Sequence, residues 1–440
     1  MENVVIRSAS LPFGLGLLAL ALTGGAAFVG AIPWTAAGAA GLVIALLLMA
    51  AVTSSTRAAG GFVHLLLAAN ALLAPIVAMD LVMRSMIGHR LHYRPEVTFL
   101  RKWPPLPEVY SYAPRVEFEG ESYGDLAAMT GRRELREPRV VTFRTDRDGF
   151  RNDPSVADSQ IDVVVLGDSF GAGAGVTQRD VFASRLGDRT GLNVLNLSIS
   201  PAGPWAEFLY LKRAYDRFRW APKAIVIWAL YVANDLEDAY GPVAEESTPW
   251  ADPSLAMSTV FADFQRRSPI RELAGRVTAG DPAQNANLVV ASVDPLTRRP
   301  LLFYRPNLNY CDLSPAQVRQ DPNFKNLRQT VAAMRDFTEK RDLQLKVMVL
   351  PAKEEVYGWV LEGKAPWSVR REPSGFARTI EQLAAESRLP FYDAKGDFFA
   401  EGERHFAAGE LLWWRDDTHI NGAGHAVVAD GLARFLATGK

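Results

Sequence analysis

The sequence predicts an α/β protein built on a doubly wound parallel sheet and preceded by N-terminal transmembrane helices. Short apolar runs alternate with helix-like segments from residue 161 onward, and the first 80 residues carry almost no charge. Parallel strands that are buried on both faces have near-continuous apolar sequences. Their regular alternation with helices favours a three-layer, flavodoxin-like arrangement with helices on both faces of the sheet.

Individual elements follow from the same patterns. Strands are predicted at 161–166, 193–197, 224–230, 345–350 and 391–393. Helices are predicted at 180–190, 204–219, 326–342, 375–388 and 422–437. Residues 139–144 alternate and are followed by a turn-forming segment, Thr145 to Gly149, which predicts a β-hairpin that leads into the main domain.

The chain divides by composition into three parts. Residues 1–83 are predicted as a membrane anchor, 84–160 as a linker and hairpin region that packs on the main domain, and 161–440 as the main domain. Within the last part, 241–325 interrupts the strand–helix rhythm with Pro-, Gly- and Asn-rich sequence. We expect an insertion there, and its length suits a lid or a binding loop.

The anchor prediction depends on two uncharged stretches. No Asp, Glu, Lys or Arg occurs from Ser8 to Thr56, nor between Arg57 and Asp80. A membrane-spanning helix needs about 20 apolar residues, so we expect spans near 11–32, 35–53 and 60–82. A cleaved signal peptide is the alternative, but the apolar region is far longer than a signal peptide's apolar core.

Orientation is predicted from flanking charge and from the family resemblance described below. A main domain outside the cytoplasm leaves Arg7 and Arg57 on the cytoplasmic side. The positive-inside rule instead favours the cytoplasm for the basic residues that follow the third span. These are Arg84, Arg90, Arg94, Arg101 and Lys102. We expect a bacterial inner-membrane protein with its main domain in the periplasm or outside the cell.

Overall composition excludes several classes of protein. Lys and Arg number 48 against 49 Asp and Glu, so the chain lacks the clustered basic excess of nucleic-acid-binding proteins. Its one cysteine, Cys311, permits no intrachain disulfide and no cysteine metal cluster. We expect no nucleic acid partner and no cofactor.

A candidate nucleophile follows the first predicted strand of the sheet. The strand ends in Gly167-Asp168-Ser169-Phe170-Gly171, and ligands of open α/β sheets bind beyond the carboxyl ends of the strands. The following glycines do not match a nucleotide-binding loop, because neither Gly-Lys-Ser/Thr nor Gly-x-Gly-x-x-Gly is present. Ser169 is therefore predicted to present its hydroxyl at this edge.

A base and an orienting carboxylate lie near the other end of the chain, in Asp416-Asp417-Thr418-His419. A serine hydroxyl needs a base to act as a nucleophile at neutral pH, and a carboxylate fixes the tautomer of the imidazole. A zinc site from Asp416, His419 and His425 is the less favoured alternative for these ligand types, and we expect no metal.

A candidate oxyanion donor follows the strand at 224–230. The side-chain amide of Asn234 lies just beyond that strand, where it is placed to donate to a developing oxyanion. In hydrolases of this type such a donor contributes roughly 3–4 kcal/mol.

Together these motifs resemble the SGNH (GDSL-like) hydrolase superfamily in order and separation over most of residues 161–440. The resemblance implies Ser169 as nucleophile, His419 as base and Asn234 in the oxyanion hole together with the Ser169 N–H. The common family spacing points to Asp416 as the orienting carboxylate, and the Asp-x-His-x-Asn form of one subgroup points to Asp417. Both are retained here, with Asp416 preferred.

The chain departs from the family pattern in two places. Pro201 stands where a glycine normally donates its N–H to the oxyanion, and proline has no N–H. Gly203 or Ala202 is the expected substitute donor. In addition, Val232 replaces the glycine of the usual Gly-x-Asn-Asp block.

The resemblance extends to membrane-anchored family members linked to bacterial cell-envelope polysaccharides. Residues 145–152 before the nucleophile strand fit that subgroup, as do residues 421–425 after the candidate base. It implies a serine esterase or O-acyltransferase that acts on acyl, chiefly acetyl, esters of an acylated carbohydrate alongside the polysaccharide machinery. The alternatives are an inactive SGNH-like domain that binds polysaccharide or acts as a scaffold, and a transporter-like protein, for which three spans offer little room.

Overall fold

The computed structural model describes residues 79, 80, 82, 83, 92–103, 106–240 and 287–438. The strands are β1 (Leu100–Trp103), β2 (Leu106–Tyr112), β3 (Glu117–Ser122), β4 (Arg139–Arg144), β5 (Ile161–Leu166), β6 (Val194–Asn196), β7 (Trp220–Tyr231), β8 (Val289–Val293), β9 (Pro300–Tyr304), β10 (Gln344–Leu350) and β11 (Phe391–Asp393). The α-helices are α1 (Asp125–Thr130), α2 (Ser169–Ala172), α3 (Phe182–Thr190), α4 (Pro204–Tyr215), α5 (Arg305–Cys311), α6 (Pro315–Gln320), α7 (Phe324–Glu339), α8 (Lys353–Val356), α9 (Gly358–Glu362), α10 (Gly375–Glu386), α11 (Lys395–Ala407) and α12 (Gly422–Ala437). Short 3-10 turns lie at Pro95–Phe99, Arg133–Leu135, Pro154–Asp158 and Gln178–Asp180.

The central sheet contains five strands in the order β6-β5-β7-β10-β11, and all of them are parallel. Val164 in β5 lies opposite Leu195 in β6 on one side and Val226 in β7 on the other. The chain moves outward from β5 to β6 and then returns across β5 to β7. The strand order therefore reverses between β5 and β7, where open sheets of this kind bind their ligands. The predicted parallel sheet is confirmed.

Both faces of the sheet are buried, as the apolar runs predict. In β5, Val164 and Leu166 pack into one apolar core with α4, α7 and α10. Val163 and Val165 pack into a second core with α3, α11 and α12. Each such side chain, fully buried, stabilises the fold by about 1.5–3 kcal/mol relative to exposure. The result is three layers, with the sheet between two layers of helices.

The hairpin was predicted to consist of β4 and a strand after it, but β4 pairs with the strand before it. β4 pairs antiparallel with the preceding β3, with Phe118 opposite Phe143, rather than continuing into a second strand after the turn. The carboxylate of Asp146 explains the difference, because it accepts hydrogen bonds from the N–H of Asp148 (2.8 Å) and of Phe150 (3.0 Å). This local capping closes the segment into a compact loop.

The described part of the predicted insertion is ordered secondary structure. Residues 287–325 contain the antiparallel β8–β9 pair followed by α5 and α6. Residues 241–286 of the insertion lie outside the described residues. The chain divides into two compact units. Only one of them, formed by His92–Ser247 and Gly280–Lys440, lies largely within the described residues.

The predicted membrane spans at 11–32 and 35–53, and nearly all of the span at 60–82, lie outside the described residues. Within the residues that the structure does describe, no helix combines the length and the apolar sequence needed to cross a bilayer.

Candidate active site

Ser169 lies at the carboxyl end of β5 as the first residue of the short helix α2. Asp168 caps this helix, and its carboxylate accepts a hydrogen bond from the Phe170 N–H at 2.8 Å. The turn is tight, since a Cβ on Gly171 would lie 2.2 Å from the Ser198 hydroxyl oxygen. The N–H groups of a first helical turn have no partner within the helix, so the Ser169 N–H is available as a donor beside its hydroxyl.

Arg151 holds the glycine-rich loop that follows α2. Its guanidinium donates to the backbone oxygens of Ala172 (3.0 Å), Gly173 (2.5 Å) and Val176 (2.7 Å), and also to that of Thr142 (2.9 Å). Arg151 is 3% exposed, so these bonds are shielded from water. The hairpin region therefore fixes the loop that follows Ser169.

A second connection runs from the hairpin region to the nucleophile turn through two asparagines. The side chain of Asn152 donates to the Asn196 backbone oxygen (2.9 Å) and accepts from the Asn196 N–H (2.8 Å). The Asn196 side chain in turn donates to the Gly171 backbone oxygen at 2.9 Å. Asn152 and Asn196 therefore connect the 145–152 segment and β6 to the turn that carries Ser169.

His419 lies on a loop between α11 and α12 that is fastened by a buried lysine. The Lys353 Nζ donates to the backbone oxygens of Trp414 (2.7 Å), Arg415 (3.1 Å) and Asp417 (3.0 Å). Burial lowers the pKa of Lys353 to about 8, although neighbouring carboxylates act in the opposite direction. Because β10 leads directly into α8, the sheet positions this lysine and, through it, the loop.

The structure brings Ser169, His419 and Asp417 together in one hydrogen-bonded chain. His419 Nε2 lies 2.7 Å from the Ser169 hydroxyl oxygen, and His419 Nδ1 lies 2.9 Å from Asp417 Oδ1. These three groups are far apart in the sequence, with 250 positions between Ser169 and His419. The geometry is that of a nucleophile, a base and an orienting carboxylate.

Two buried arginines surround the Asp417 carboxylate. Arg94 Nη2 donates to Asp417 Oδ1, and Arg139 Nη2 donates to Asp417 Oδ2 at 2.5 Å. Burial alone raises the pKa of Asp417, but Arg94, His419 and Arg139 outweigh it and hold that pKa well below its usual range. Asp417 is therefore ionised whenever the protein is folded at neutral pH.

Asp416, the preferred orienting residue from sequence, faces away from the imidazole. Its Oδ2 accepts from the backbone N–H groups of Gly124 (2.7 Å) and Glu137 (2.8 Å), and its Oδ1 accepts from Arg139 at 2.9 Å. These three hydrogen bonds hold the Asp416 carboxylate away from the ring, so only one of the two adjacent carboxylates reaches His419. The structure places Asp417, and not Asp416, at Nδ1.

The His419 ring is held on its face as well as at its edges. Phe170 stacks on it with ring centroids 4.7 Å apart, and Tyr231 stacks on Phe170 at 3.9 Å. Burial and the charge of Arg94 both act to lower the pKa of His419, but hydrogen bonds to Asp125 and Asp417 raise it above its usual value. A raised pKa strengthens His419 as an acceptor of a hydroxyl proton.

Asn234 lies beyond β7, but its amide is already engaged. Its Nδ2 donates to Asp168 Oδ2 at 3.1 Å, and that same oxygen lies 3.4 Å from the Ser169 hydroxyl oxygen. Burial raises the pKa of Asp168. Burial and the charge of Asp168 raise the pKa of nearby Asp238 to about 6. The Asn234 amide is therefore bonded to a carboxylate oxygen beside the Ser169 hydroxyl.

Gly203 lies at the N-terminus of α4, beside the turn that carries Asn234. A Cβ at Gly203 would come within 2.2 Å of the Asp238 backbone oxygen, so only glycine fits this approach. Pro201 precedes it on the exposed side, and Pro204 is the first residue of the helix. Since prolines lack an N–H, Gly203 and Ala202 supply the only backbone donors between these two residues.

Asp125, Asp417 and His419 place possible metal-ligand atoms within 4.8 Å of one another. The Arg94 guanidinium lies among them, 3.4 Å from Asp125 Oδ2 and 2.7 Å from His419 Nδ1. Its positive charge opposes a second cation there, and we assign no metal. His425, the other candidate ligand, is buried and accepts a hydrogen bond from the Phe182 N–H at 3.1 Å.

Sequence reasoning missed the basic residues that organise this site. Arg94, Arg139, Arg151 and Lys353 are each at most 9% exposed and bond to site loops. Arginine and lysine are almost never buried without a partner, but their burial is not visible in the sequence. The one available signal was the position of Lys353 at the carboxyl end of a predicted strand.

Comparisons with known proteins add little to this geometry. No family model matches the chain, and no curated protein matches it. Among solved structures, the crystal structure of TesA is similar with a TM-score of 0.33 and 13% sequence identity, covering 63% of this chain and 98% of TesA. A likeness at this level carries no functional argument.

Proposed function

We propose that the protein is an SGNH-type serine hydrolase or acyltransferase of ester substrates. The observation that carries the proposal is the contact of 2.7 Å between the Ser169 hydroxyl oxygen and His419 Nε2, together with Asp417 at Nδ1. In this mechanism Ser169 attacks an ester carbonyl, and His419 accepts the hydroxyl proton. His419 then returns that proton to the leaving alkoxide, which departs as an alcohol.

The second half of the reaction decides between hydrolysis and transfer. Water that attacks the acyl-Ser169 ester releases a carboxylic acid, and a sugar hydroxyl that attacks it yields a new ester. In both cases His419 takes the proton of the attacking group, and Ser169 regains its own proton. We propose a cell-envelope polysaccharide as the acylated carbohydrate and acetyl as the acyl group, supported by the motif resemblance at residues 145–152 and 421–425.

We further propose that residues 1–83 hold the domain on a bacterial inner membrane, with the active site in the periplasm or outside the cell. The support is the uncharged sequence from Ser8 to Thr56 and from residue 58 to 79. Each stretch is at least as long as one span, about 20 residues. A membrane-held enzyme acts on polymers that pass close to the bilayer.

A second candidate function is supported by the state of the oxyanion hole. Pro201 removes one family donor, and Asn234 donates to Asp168 rather than into an empty site. Each missing donor costs about 10²–10³ in rate. A catalytically weak domain that binds polysaccharide or scaffolds a modification complex fits these two facts.

Labelling with a fluorophosphonate probe separates the two candidates. We expect the full chain to be labelled at Ser169, and Ser169→Ala to abolish both the labelling and the release of p-nitrophenol from p-nitrophenyl acetate. Ser200→Ala is the matched control, because Ser200 is partly exposed on the nearby 197–203 segment and its backbone N–H, which the substitution keeps, donates to the Tyr112 hydroxyl oxygen at 3.4 Å. An unlabelled wild-type protein would favour the scaffold.

A further inference from the structure

Arg94 and Asp417 both contact the same atom of His419, the ring nitrogen Nδ1. Arg94 Nη2 lies 2.7 Å from His419 Nδ1, and Asp417 Oδ1 lies 2.9 Å from the same nitrogen. A ring nitrogen of a neutral imidazole is either a donor or an acceptor. Nδ1 cannot donate to Asp417 and accept from Arg94 at the same time.

The two contacts correspond to two different tautomers of His419. If Nδ1 carries the proton, it donates to Asp417, and Nε2 is free to accept the proton of Ser169. If Nδ1 accepts from Arg94, the ring proton is on Nε2, which then donates to Ser169 and cannot take its proton. The N···N distance of 2.7 Å fits a hydrogen bond from Arg94 and is too close for two N–H groups that face each other.

The backbone presents Arg94 to the site in a fixed position. The Tyr93 backbone oxygen accepts from the Tyr123 N–H at 2.9 Å, and Glu96 Oε1 accepts from the Gly175 N–H at 3.2 Å. Arg94 itself is 5% exposed. The residues that flank Arg94 are therefore held in place, Tyr93 by the residue after β3 and Glu96 by the loop that follows α2.

We propose that Arg94 is a positioning residue that competes with Asp417 for His419 Nδ1 and restrains the base in the resting protein. Arg139 makes this possible, because it holds Asp417 from the opposite oxygen at 2.5 Å and keeps the carboxylate in place without Arg94. The proposal rests on the proposed function of Ser169 and His419. It adds that the resting tautomer is the unproductive one.

Four charged groups face His419 and influence its pKa. They are Asp417 on its own loop, Asp125 in α1, Asp168 after β5 and Arg94 before the first 3-10 turn. Arg94 is the cation among these four groups, and it opposes the imidazolium that forms when His419 accepts a proton. Its removal leaves three carboxyl groups around the ring and raises the pKa of His419.

The tautomer can be measured directly on the full chain. Histidine ring 15N chemical shifts, recorded in detergent above the pKa of His419, distinguish a proton on Nδ1 from a proton on Nε2. His419→Gln identifies the signal among the six histidines of the sequence. We expect the Nε2–H tautomer in the wild type and the Nδ1–H tautomer in Arg94→Met. A wild-type Nδ1–H tautomer overturns the proposal, and this result does not depend on the folding of Arg94→Met.

A second measurement follows the consequence for the base. The rate of fluorophosphonate labelling rises with pH as His419 loses its proton, and we expect Arg94→Met to move the midpoint upward by about half a pH unit or more. Arg132→Met is the matched control, because Arg132 is exposed and pairs with Glu134 at 2.7 Å. An unmoved midpoint in a folded Arg94→Met protein contradicts the proposal. Absent labelling of the wild type contradicts the proposed function instead, while the tautomer result still stands.

Discussion

Two adjacent carboxylates of the site have different partners and therefore different roles. Asp417 contacts the His419 ring, Arg94 and Arg139, whereas Asp416 receives two backbone N–H groups and the other side of Arg139. The partners of Asp417 keep its carboxylate ionised and in contact with the His419 ring. The partners of Asp416 fasten residues 124–137 to the triad loop.

At the residue scale, this division predicts opposite outcomes for two matched substitutions. Asp417→Asn removes the acceptor of the Nδ1 proton, and we expect the labelling rate of Ser169 to fall about 10³–10⁴-fold. Asp416→Asn leaves the ring untouched, and we expect a loss of stability of roughly 1–3 kcal/mol with labelling at low temperature within about tenfold of the wild type. Labelling rates and thermal melts of both variants test this. A larger loss of labelling in Asp416→Asn would reverse the two roles.

The sequence predicted Ser169 and Asn234 as site residues because each follows an apolar strand, and His419 because two carboxylates precede it in a loop. It left Asp416 and Asp417 unresolved, because adjacent residues differ only in the direction of their side chains, which depends on the loop. Arg94 and Arg139 were not predicted as site residues, since they lie 323 and 278 positions from Asp417. Contacts at such separations depend on the whole fold.

At the element scale, the loop at 145–152 supports the nucleophile rather than forming a strand. Arg151 donates four hydrogen bonds to backbone oxygens, three of them in the loop that follows α2, and its removal takes a donor from each. Each buried polar group left unpaired costs about 1–3 kcal/mol. The support is therefore concentrated in one side chain.

Arg151→Met should lower the free energy of unfolding by at least about 3 kcal/mol, because several buried oxygens lose their donors together. The matched control is Arg147→Met, four residues earlier, since Arg147 is 45% exposed and its nearest carboxylates are 3.5 and 3.7 Å away. We expect the control to change stability by less than about 0.5 kcal/mol. Chemical denaturation measures both, and equal effects would show that the loop does not depend on Arg151.

Elements of the sheet were predictable for a physical reason that does not extend to the hairpin. A strand buried on both faces, such as β5, must be apolar at nearly every position, and its sequence shows this directly. β3 is largely exposed and reads Glu-Phe-Glu-Gly-Glu-Ser, so nothing in it identifies a strand or its partner. Its pairing with β4 arises from the Phe118–Phe143 register and from the closed loop around Asp146.

At the scale of the whole molecule, the candidate site and the uncharged N-terminal sequence belong to different units of the chain. The described unit binds its own N-terminal boundary into the site, since Arg94 lies only three residues after Leu91, where the first unit ends. The N-terminal boundary of this unit therefore contributes directly to the candidate site.

The proposed orientation of the anchor can be tested with topology reporters. If residues 1–83 cross the membrane three times, the two ends of the chain lie on opposite sides, and an N-terminus in the cytoplasm puts the candidate active site outside it. We expect alkaline phosphatase, which folds only outside the cytoplasm, to be active when fused after Lys440 and inactive when fused after Arg57, between the second and third spans. Green fluorescent protein at the same two positions is the control and should give the reverse pattern. The opposite result at both positions would place the active site in the cytoplasm, and chain released by alkaline carbonate would contradict the anchor itself.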